Sequence, residues 1–244
     1  MSVSPSSIVP ALDPLPDAMP PLPAAKRRLS SQDRRRQLIE QAIKLFSLHG
    51  FSGTRTKDIA AACGVSEGIL FRHFATKEDL YRAILELHAD EAGSREWMLE
   101  MKRLAAARDD RTLIKALVDH LVRNFRENAA FHRLMLYAWL EGHAMAGMAH
   151  QQLGQPMFEF LRKYVMQRQR EGVFRSGNPA AIVIALYSPA LQFAMARYVF
   201  GMQLCQPDDG LAVEQFTDIL VAGIRAPQSK NNIKTRAAKK RRFS

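Results

Sequence analysis

The chain has 244 residues, is 47% hydrophobic and carries a formal net charge of +11 at pH 7. Its length and apolar content predict a folded globular protein with one large or two small domains. Its two isolated cysteines, Cys63 and Cys205, argue against a disulfide scaffold and fit a reducing cytosol. No apolar run predicts a membrane span, and the amino terminus lacks the pattern of a secretory signal.

The positive charge is concentrated in two segments. Residues 26–82 contain 12 basic and 6 acidic side chains, and residues 225–244 contain 8 basic and no acidic side chains. Residues 83–224, by contrast, are close to neutral. A localised excess of basic residues predicts a polyanionic partner such as nucleic acid.

Residues 1–29 are rich in proline, serine and alanine. Proline removes backbone donors and opposes helix formation, so this segment is predicted to be a disordered or polyproline-like arm. The arm contains the basic run Lys26, Arg27 and Arg28 near its end. These residues are interpreted either as a solvated linker or as a basic arm that touches phosphates or a minor groove.

A helical region is predicted from residue 30 to residue 85. Ser30 and Asp33 have the spacing of a capping box, and apolar residues then recur at helical spacing until Gly50. Thr76 and Asp79 have the same capping-box spacing and predict the start of a further helix.

Between these two helices lies TKDIAAACGVSEGILFRHF, within the range 56–75. This stretch predicts two short helices joined by a tight turn. Thr56 and Ser66 are expected to cap the two helices, and Gly64 allows the chain to leave the first one in the left-handed conformation. Two short helices joined in this way are typical of a helix-turn-helix, whose second helix enters the DNA major groove.

The pattern A…LF…G…T…IA…GVS.G.L..HF..KEDL extends over about fifty positions without a gap. Over about residues 33–93 the sequence resembles the DNA-binding domain of TetR-type transcriptional regulators. The rest of the chain matches this family in length and helical character only. The resemblance implies an all-α fold, with an N-terminal three-helix helix-turn-helix domain followed by a larger helical domain for ligand binding and dimerisation.

The second helix of the motif is expected to present its N-terminal residues to base edges. Gly68 is unfavourable inside a helix, so its presence predicts that either a backbone segment or a base approaches it closely. The resemblance implies that Thr56, His73 and Lys77 contact phosphates. Phe71 stands where the family often has tyrosine, and its apolar face suits a thymine methyl group. The predicted DNA-binding residues are Thr56, Lys57, Ser66, Glu67, Gly68, Phe71, Arg72, His73 and Lys77.

Residues 86–226 are predicted to form a helical regulatory and dimerisation domain. Periodicity places its helices at about 95–107, 112–127, 129–142, 146–171, 179–203 and 211–225. Pro156 is expected to kink or divide its segment, and Pro189 to kink its helix. The basic segment 227–244 is predicted to be a disordered tail that either adds sequence-independent DNA affinity or has no role.

Large apolar residues are frequent in this second domain, and their simplest role is to form its core. The resemblance implies that some of them line a small-molecule pocket. The near-neutral, aromatic and methionine-rich composition predicts that the effector is apolar. The candidate pocket residues are Met101, Phe125, Phe131, Met135, Trp139, Phe160 and Phe193.

The sequence predicts no enzyme, no catalytic or metal-binding residue and no cofactor. Its histidines are scattered without a metal-binding spacing. His143 and His150, with Glu141 nearby, give only a weak signal, and surface or capping roles are expected for them. The chain has neither a phosphate-binding glycine loop nor a nucleophile elbow.

The last two predicted helices combine long apolar faces with small residues, which permit close helix packing. The resemblance implies that they pair in a homodimer, and two recognition helices about 34–36 Å apart could read a palindromic operator. The sequence therefore predicts a ligand-responsive repressor of double-stranded DNA, cytoplasmic and nucleoid-associated when bound. An activator, a regulator that responds to a protein partner and a non-specific architectural DNA-binding protein remain as alternatives.

Overall fold

A computed structural model describes residues 29–91, 94–202 and 208–227. The regular elements within these ranges are helices, and one isolated β-bridge joins Phe174 to Arg225. The predicted all-α fold is therefore confirmed. Apart from Leu29 and Pro227, the predicted arm and tail lie outside the described residues.

Four helices build the amino-terminal part: α1 (Ser31–Gly53), α2 (Thr56–Ala62), α3 (Glu67–His73) and α4 (Lys77–Glu91). Two of them begin at the predicted capping boxes. The Ser30 hydroxyl accepts a hydrogen bond from the Asp33 amide at 3.0 Å, and the Thr76 hydroxyl accepts one from the Asp79 amide at 3.0 Å. These bonds satisfy amide donors that have no partner within the first helical turn.

The start of α2 differs from the prediction. Thr56 is the first helical residue, and Arg55 occupies the N-cap position without a side-chain hydrogen bond. The Thr56 hydroxyl instead donates to the Glu67 carboxylate at the start of α3. The prediction that Thr56 caps α2 was therefore wrong, because its hydroxyl connects the two helices of the motif. Ser66 does occupy the N-cap of α3, but its side chain makes no capping bond.

Seven helices follow: α5 (Ser94–Ala107), α6 (Asp110–Glu127), α7 (Ala129–Leu140), α8 (Ala144–Ala149), α9 (Gln155–Arg170), α10 (Pro179–Ala194) and α11 (Asp209–Ile224). A π-helical turn joins α8 to α9 at His150–Gly154, and another extends α10 at Met195–Val199. The single helix predicted at 146–171 is therefore divided. Pro156 lies in the first turn of α9, where its missing amide costs no helical hydrogen bond, and Pro189 lies inside α10.

The buried apolar residues form two main clusters. The first combines α1 to α4 with residues of α7 and α8, and α1 packs along α7. The second is built by α5, α6, α9, α10 and α11, with α6 packed against both α10 and α11. The predicted domain boundary between residues 85 and 86 falls inside α4, so one continuous helix leads out of the DNA-binding region.

The stretch Pro179–Val199 is long and apolar enough to cross a membrane by length and composition, with a mean hydropathy of 1.5. The expectation that no apolar run reaches this length is therefore corrected. Val183, Leu186 and Ala190 on this stretch are buried in the second cluster, whereas Ile184 is 58% exposed. One such helix is weak support for a membrane span, because helices that pack within a protein pass the same test.

Gly50 interrupts α1 with a φ of 70° and a ψ of 178°, a combination that is almost restricted to glycine. A Cβ atom at this position would overlap Glu141 Oε1 and lie 3.3 Å from Tyr137 Cδ1. We therefore expect Gly50→Ala to lower the free energy of unfolding by about 1–3 kcal/mol in urea denaturation. Gly53→Ala is the control, because Gly53 has no positive φ and a Cβ there makes only ordinary contacts. Equal stability of the two variants would contradict the expected strain at Gly50.

Candidate nucleic-acid interface and ligand cavity

The turn between α2 and α3 has the conformation that its glycine predicts. Gly64 has a φ of 66°, and its amide donates to the Ala61 carbonyl at 2.9 Å. The Val65 amide donates to the Ala60 carbonyl at 3.0 Å, which closes the end of α2. This pattern, in which a left-handed glycine follows the last helical turn, reverses the chain within a few residues.

The two short helices bury one face each. Ile59, Ala60, Leu70 and Phe74 are all at most 3% exposed and belong to the first apolar cluster. Phe71 on the opposite face of α3 remains 45% exposed. An exposed aromatic ring at this position is available for contact with a partner molecule.

The turn is attached to α1 by polar contacts. Arg34 donates from Nη1 to the Cys63 carbonyl at 3.3 Å and to Gln37 Oε1 at 2.6 Å. The Cys63 thiol lies 3.7 Å from the Gln37 carbonyl, and burial raises the pKa of this thiol. Cys63 is therefore a buried, protonated packing residue, and Arg34 helps to hold the turn at a defined position on α1.

The structure brings two of the predicted DNA-binding residues into contact and leaves most of the others exposed. Thr56 and Glu67 are joined by a hydrogen bond, which fixes the start of α2 next to the start of α3. His73 is half-buried beside Phe74, with ring centroids 6.4 Å apart. The remaining α2 and α3 candidates are exposed: Lys57, Ser66, Glu67, Gly68, Phe71 and Arg72.

Lys77 differs from the other candidates because its ammonium group faces the protein. It donates to the Phe51 carbonyl and lies 4.1 Å above the centre of the Phe51 ring. Burial lowers the pKa of Lys77, while the nearby carboxylates of Glu78 and Glu141 oppose this shift. A contact between Lys77 and a DNA phosphate would require this ammonium to leave the Phe51 carbonyl.

The larger helical part contains a cavity of about 620 Å³. This volume is within the range of small-molecule sites in proteins. Its walls come from α4 to α7, the π-helical turn before α9, and α9 and α10. Aromatic and imidazole rings form one part of the wall: His88, Trp97, His120, Phe125, Phe131 and His132.

Three imidazole rings in this wall are stacked on aromatic rings. Ring centroids are 3.6 Å apart in each of the pairs His88–Phe131, His120–Trp97 and His132–Phe125. Burial lowers the pKa of His88 and His120 to about 4 and that of His132 to about 3. All three side chains are therefore uncharged at neutral pH.

The cavity agrees only in part with the predicted pocket residues. Phe125 and Phe131 line it. Met101 is fully buried in the second apolar cluster, Met135 packs against the first, and Trp139 is 56% exposed. The other two candidates also lie elsewhere: Phe193 packs on Phe216 at 5.7 Å, and Phe160 borders a separate cavity of about 290 Å³.

The sequence analysis did not identify any histidine as a residue of the ligand pocket. His88, His120 and His132 belong to α4, α6 and α7, so no spacing within one helix reveals that they meet. Of the two histidines considered for a metal, His150 lines the cavity and His143 packs in a tilted arrangement on Phe51, with ring centroids 4.2 Å apart. Among the described residues, no group of three or more potential metal ligands comes together.

Residues 38–84 match the family described as bacterial regulatory proteins, tetR family. The uncharacterized HTH-type transcriptional regulator YvkB of Bacillus subtilis (strain 168) is 25% identical over 198 residues, covering 78% of this chain and 97% of YvkB. The HTH-type transcriptional regulator AcrR of Shigella flexneri is 35% identical over 79 residues. That match covers 32% of this chain and only 37% of AcrR.

The crystal structure of AibR in complex with isovaleryl coenzyme A and operator DNA has a TM-score of 0.57 and 21% sequence identity. The match covers 80% of this chain and 99% of that one, which shows that the two proteins share their fold.

A helix-turn-helix on an all-α framework, in a chain whose relatives regulate transcription, defines a DNA-binding transcriptional regulator. More specifically, its helix-turn-helix segment is similar to that of the tetR family, whose model matches residues 38–84. Its relatives are regulators and not enzymes, in agreement with the sequence prediction.

The position of Lys77 leads to a prediction. Replacement by alanine removes the hydrogen bond to the Phe51 carbonyl and the contact with the Phe51 ring, so we expect Lys77→Ala to lower the melting temperature. Lys57→Ala is the control, because Lys57 is exposed and its replacement should leave the melting temperature unchanged.

DNA binding by Lys77→Ala tests the predicted phosphate contact. If Lys77 moves to a phosphate in the complex, Lys77→Ala will reduce the slope of log affinity against log salt by about one unit. An unchanged slope, with a lowered melting temperature, would assign Lys77 a purely internal role.

Proposed function

We propose that this protein is a cytoplasmic repressor that binds a palindromic operator as a homodimer and is released by a small apolar effector. The observation that carries the proposal is the exposed face of α3. This face has an accessible glycine, Gly68, next to an exposed aromatic ring, Phe71. A short helix with a rigid buried face and such an outer face suits insertion into a major groove.

The residues of this surface have different proposed roles. Ser66, Gly68 and Phe71 lie nearest the bases, with Phe71 against a thymine methyl group. Glu67 can accept a hydrogen bond from the amino group of a cytosine. Its bond to Thr56 holds the carboxylate in place, so that it need not be ordered when DNA binds.

The proposed phosphate contacts surround this centre. Lys57 and Arg72 are exposed cations on α2 and α3, and His73 lies at the end of α3. Contacts to phosphates set the position and orientation of the helix, whereas contacts to base edges determine which sequence is bound.

The proposed homodimer uses α10 and α11. Exposed apolar side chains lie on both helices: Ile219 on α11 is 67% exposed, and Ile184 on α10, which also borders the cavity, is 58% exposed. Exposed small residues on the same helices, Ala181, Ala185 and Gly223, would let helices of a second copy approach closely. A dimer also meets a physical need, because one seven-residue recognition helix contacts few base pairs and two copies double the number read.

The proposed effector site is the 620 Å³ cavity, and α4 is the element that connects it to DNA. His88 near the end of α4 lines the cavity, while Lys77 at its start contacts Phe51 near the end of α1. A ligand that moves His88 would move α4 and so change the spacing of the two recognition helices. A coupling of about 1–3 kcal/mol is sufficient to change operator occupancy substantially. The structure of AibR, which holds isovaleryl coenzyme A and operator DNA, provides a precedent for a small molecule and DNA on one protein of this fold.

Selection of bound sequences from a random DNA pool at near-physiological salt tests the DNA-binding proposal. We expect an inverted repeat whose half-sites are separated by about one helical turn. Gly68→Leu should abolish this selection without unfolding the protein. A Cβ at Gly68 meets only Ser66 Oγ at 3.9 Å in the free protein, whereas DNA would lie against it.

Gly147→Leu is the matched control, since a Cβ at Gly147 meets no atom within 4 Å and the residue lies on α8. Recovery of the same repeat by both variants would show that α3 does not enter the groove. Recovery of no repeat by the unchanged protein, with binding that collapses as salt rises, would favour the architectural alternative.

Ile219→Glu tests the dimer. Ile219 lies on α11 and does not line the cavity, so this change should weaken dimerisation without altering the effector site. A buried carboxylate in each copy should raise the dimer dissociation constant at least about tenfold in sedimentation equilibrium. Leu99→Glu on α5 is the control, because Leu99 is similarly exposed at 61% but lies outside the proposed interface. Identical dissociation constants for the two variants would exclude α11 from the interface.

A further inference from the structure

The cavity wall carries no full charge. None of the described residues that line it is a lysine, arginine, aspartate or glutamate. Much of the wall is apolar, including Met98, Leu121 and Met157. An ion transferred from water into such a site loses its hydration without gaining a partner of opposite charge, and this loss is large.

The polar part of the wall is a cluster of histidines. The ring centroids of His88 and His132 are 6.1 Å apart, and His120 is close enough to influence the pKa of His132. Each neutral imidazole has one hydrogen-bond donor and one acceptor. His132 Nε2 lies 2.5 Å from the Asn124 side-chain oxygen, which can only accept, so Nδ1 of His132 remains as an acceptor.

We propose that the cavity binds an uncharged, largely apolar molecule with a hydroxyl or carbonyl oxygen, which His88, His120 and His132 recognise. This inference rests on the proposed role of the cavity as the effector site. A hydroxyl or carbonyl oxygen matches the donors and acceptors of neutral imidazoles. A carboxylate would find no fixed cation in the wall.

A cationic ligand is disfavoured for a separate reason. Aromatic cages bind cations through ring faces that are free to meet the charge. Here one face of Trp97, of Phe125 and of Phe131 is already covered by an imidazole at 3.6 Å. Each of these rings therefore has at most one face left for a cation, and the wall offers no carboxylate among its described residues to neutralise one.

Two dyes with the same fused-ring skeleton test the charge of the ligand. Nile red is neutral and has a carbonyl oxygen, whereas Nile blue is a cation that lacks this oxygen. The anionic dye 8-anilinonaphthalene-1-sulfonate provides the opposite charge. We expect Nile red to bind the full-length protein saturably, at one site per chain, and at least about tenfold more tightly than either charged dye. Leu121→Trp, which fills the cavity, should remove this binding.

The histidine cluster is tested by His120→Phe. A phenyl ring can retain the stack on Trp97 but removes both ring nitrogens. We expect about a fivefold to tenfold loss of Nile red affinity, as for a lost hydrogen bond, and a blue shift of the dye emission. The control is His49→Phe, because His49 is an exposed residue on α1 and does not line the cavity. Circular dichroism of each variant confirms that it is folded.

The possible results separate the two proposals. Equal or tighter binding of a charged dye would overturn the inference of an uncharged ligand and leave the cavity as an effector site. Equal affinity of His120→Phe and His49→Phe would overturn the role of the histidines. Nile red binding that survives Leu121→Trp would place the dye elsewhere and overturn the inference. No saturable binding of any of the three dyes would overturn both the inference and the proposed effector site.

Discussion

The DNA-binding region depends on one aromatic cluster that joins three parts of the chain. Phe46 and Phe51 from α1 meet Tyr81 from α4, with ring centroids 5.4–5.7 Å apart, and the His143 ring packs at a tilt on Phe51 at 4.2 Å. Phe51 reaches this cluster because Gly50 turns the chain. The same rings therefore fix the position of α4 on α1 and attach both to the segment that leads into α8.

This arrangement explains how the exposed face of α3 can be rigid and also connected to a distant cavity. The helix-turn-helix buries one face against α1 and α4, so its exposed face has a defined position. From the same core α4 continues as one helix to His88, which stacks on Phe131 at the cavity wall. A displacement at either end of α4 must be accommodated by the closely packed aromatic rings. Because packed cores switch between discrete arrangements and do not deform gradually, α4 is expected to shift as a unit.

The histidine cluster and the exposed α3 surface differ in charge: the buried imidazoles are neutral, whereas the side chains exposed beside α3 include cations. The exposed cations on α2 and α3 remain hydrated. In the proposed complex they exchange this water for DNA phosphates at little cost in free energy. In the cavity, burial against aromatic rings keeps imidazoles uncharged, so recognition there must rely on shape and hydrogen bonding. The charged partner, DNA, would therefore meet solvent-exposed side chains, whereas the proposed uncharged ligand would meet buried ones.

The sequence by itself determined the all-α fold, both capping boxes, the turn at Gly64 and the exposed outer face of α3. These features depend on residues within a few positions of each other, so local periodicity and backbone preference are sufficient to predict them. Only the tertiary structure decided that Lys77 contacts Phe51, that Thr56 bonds to Glu67, and that three histidines from three helices share one cavity. Such contacts depend on how helices distant in sequence pack together, and no local pattern records that packing.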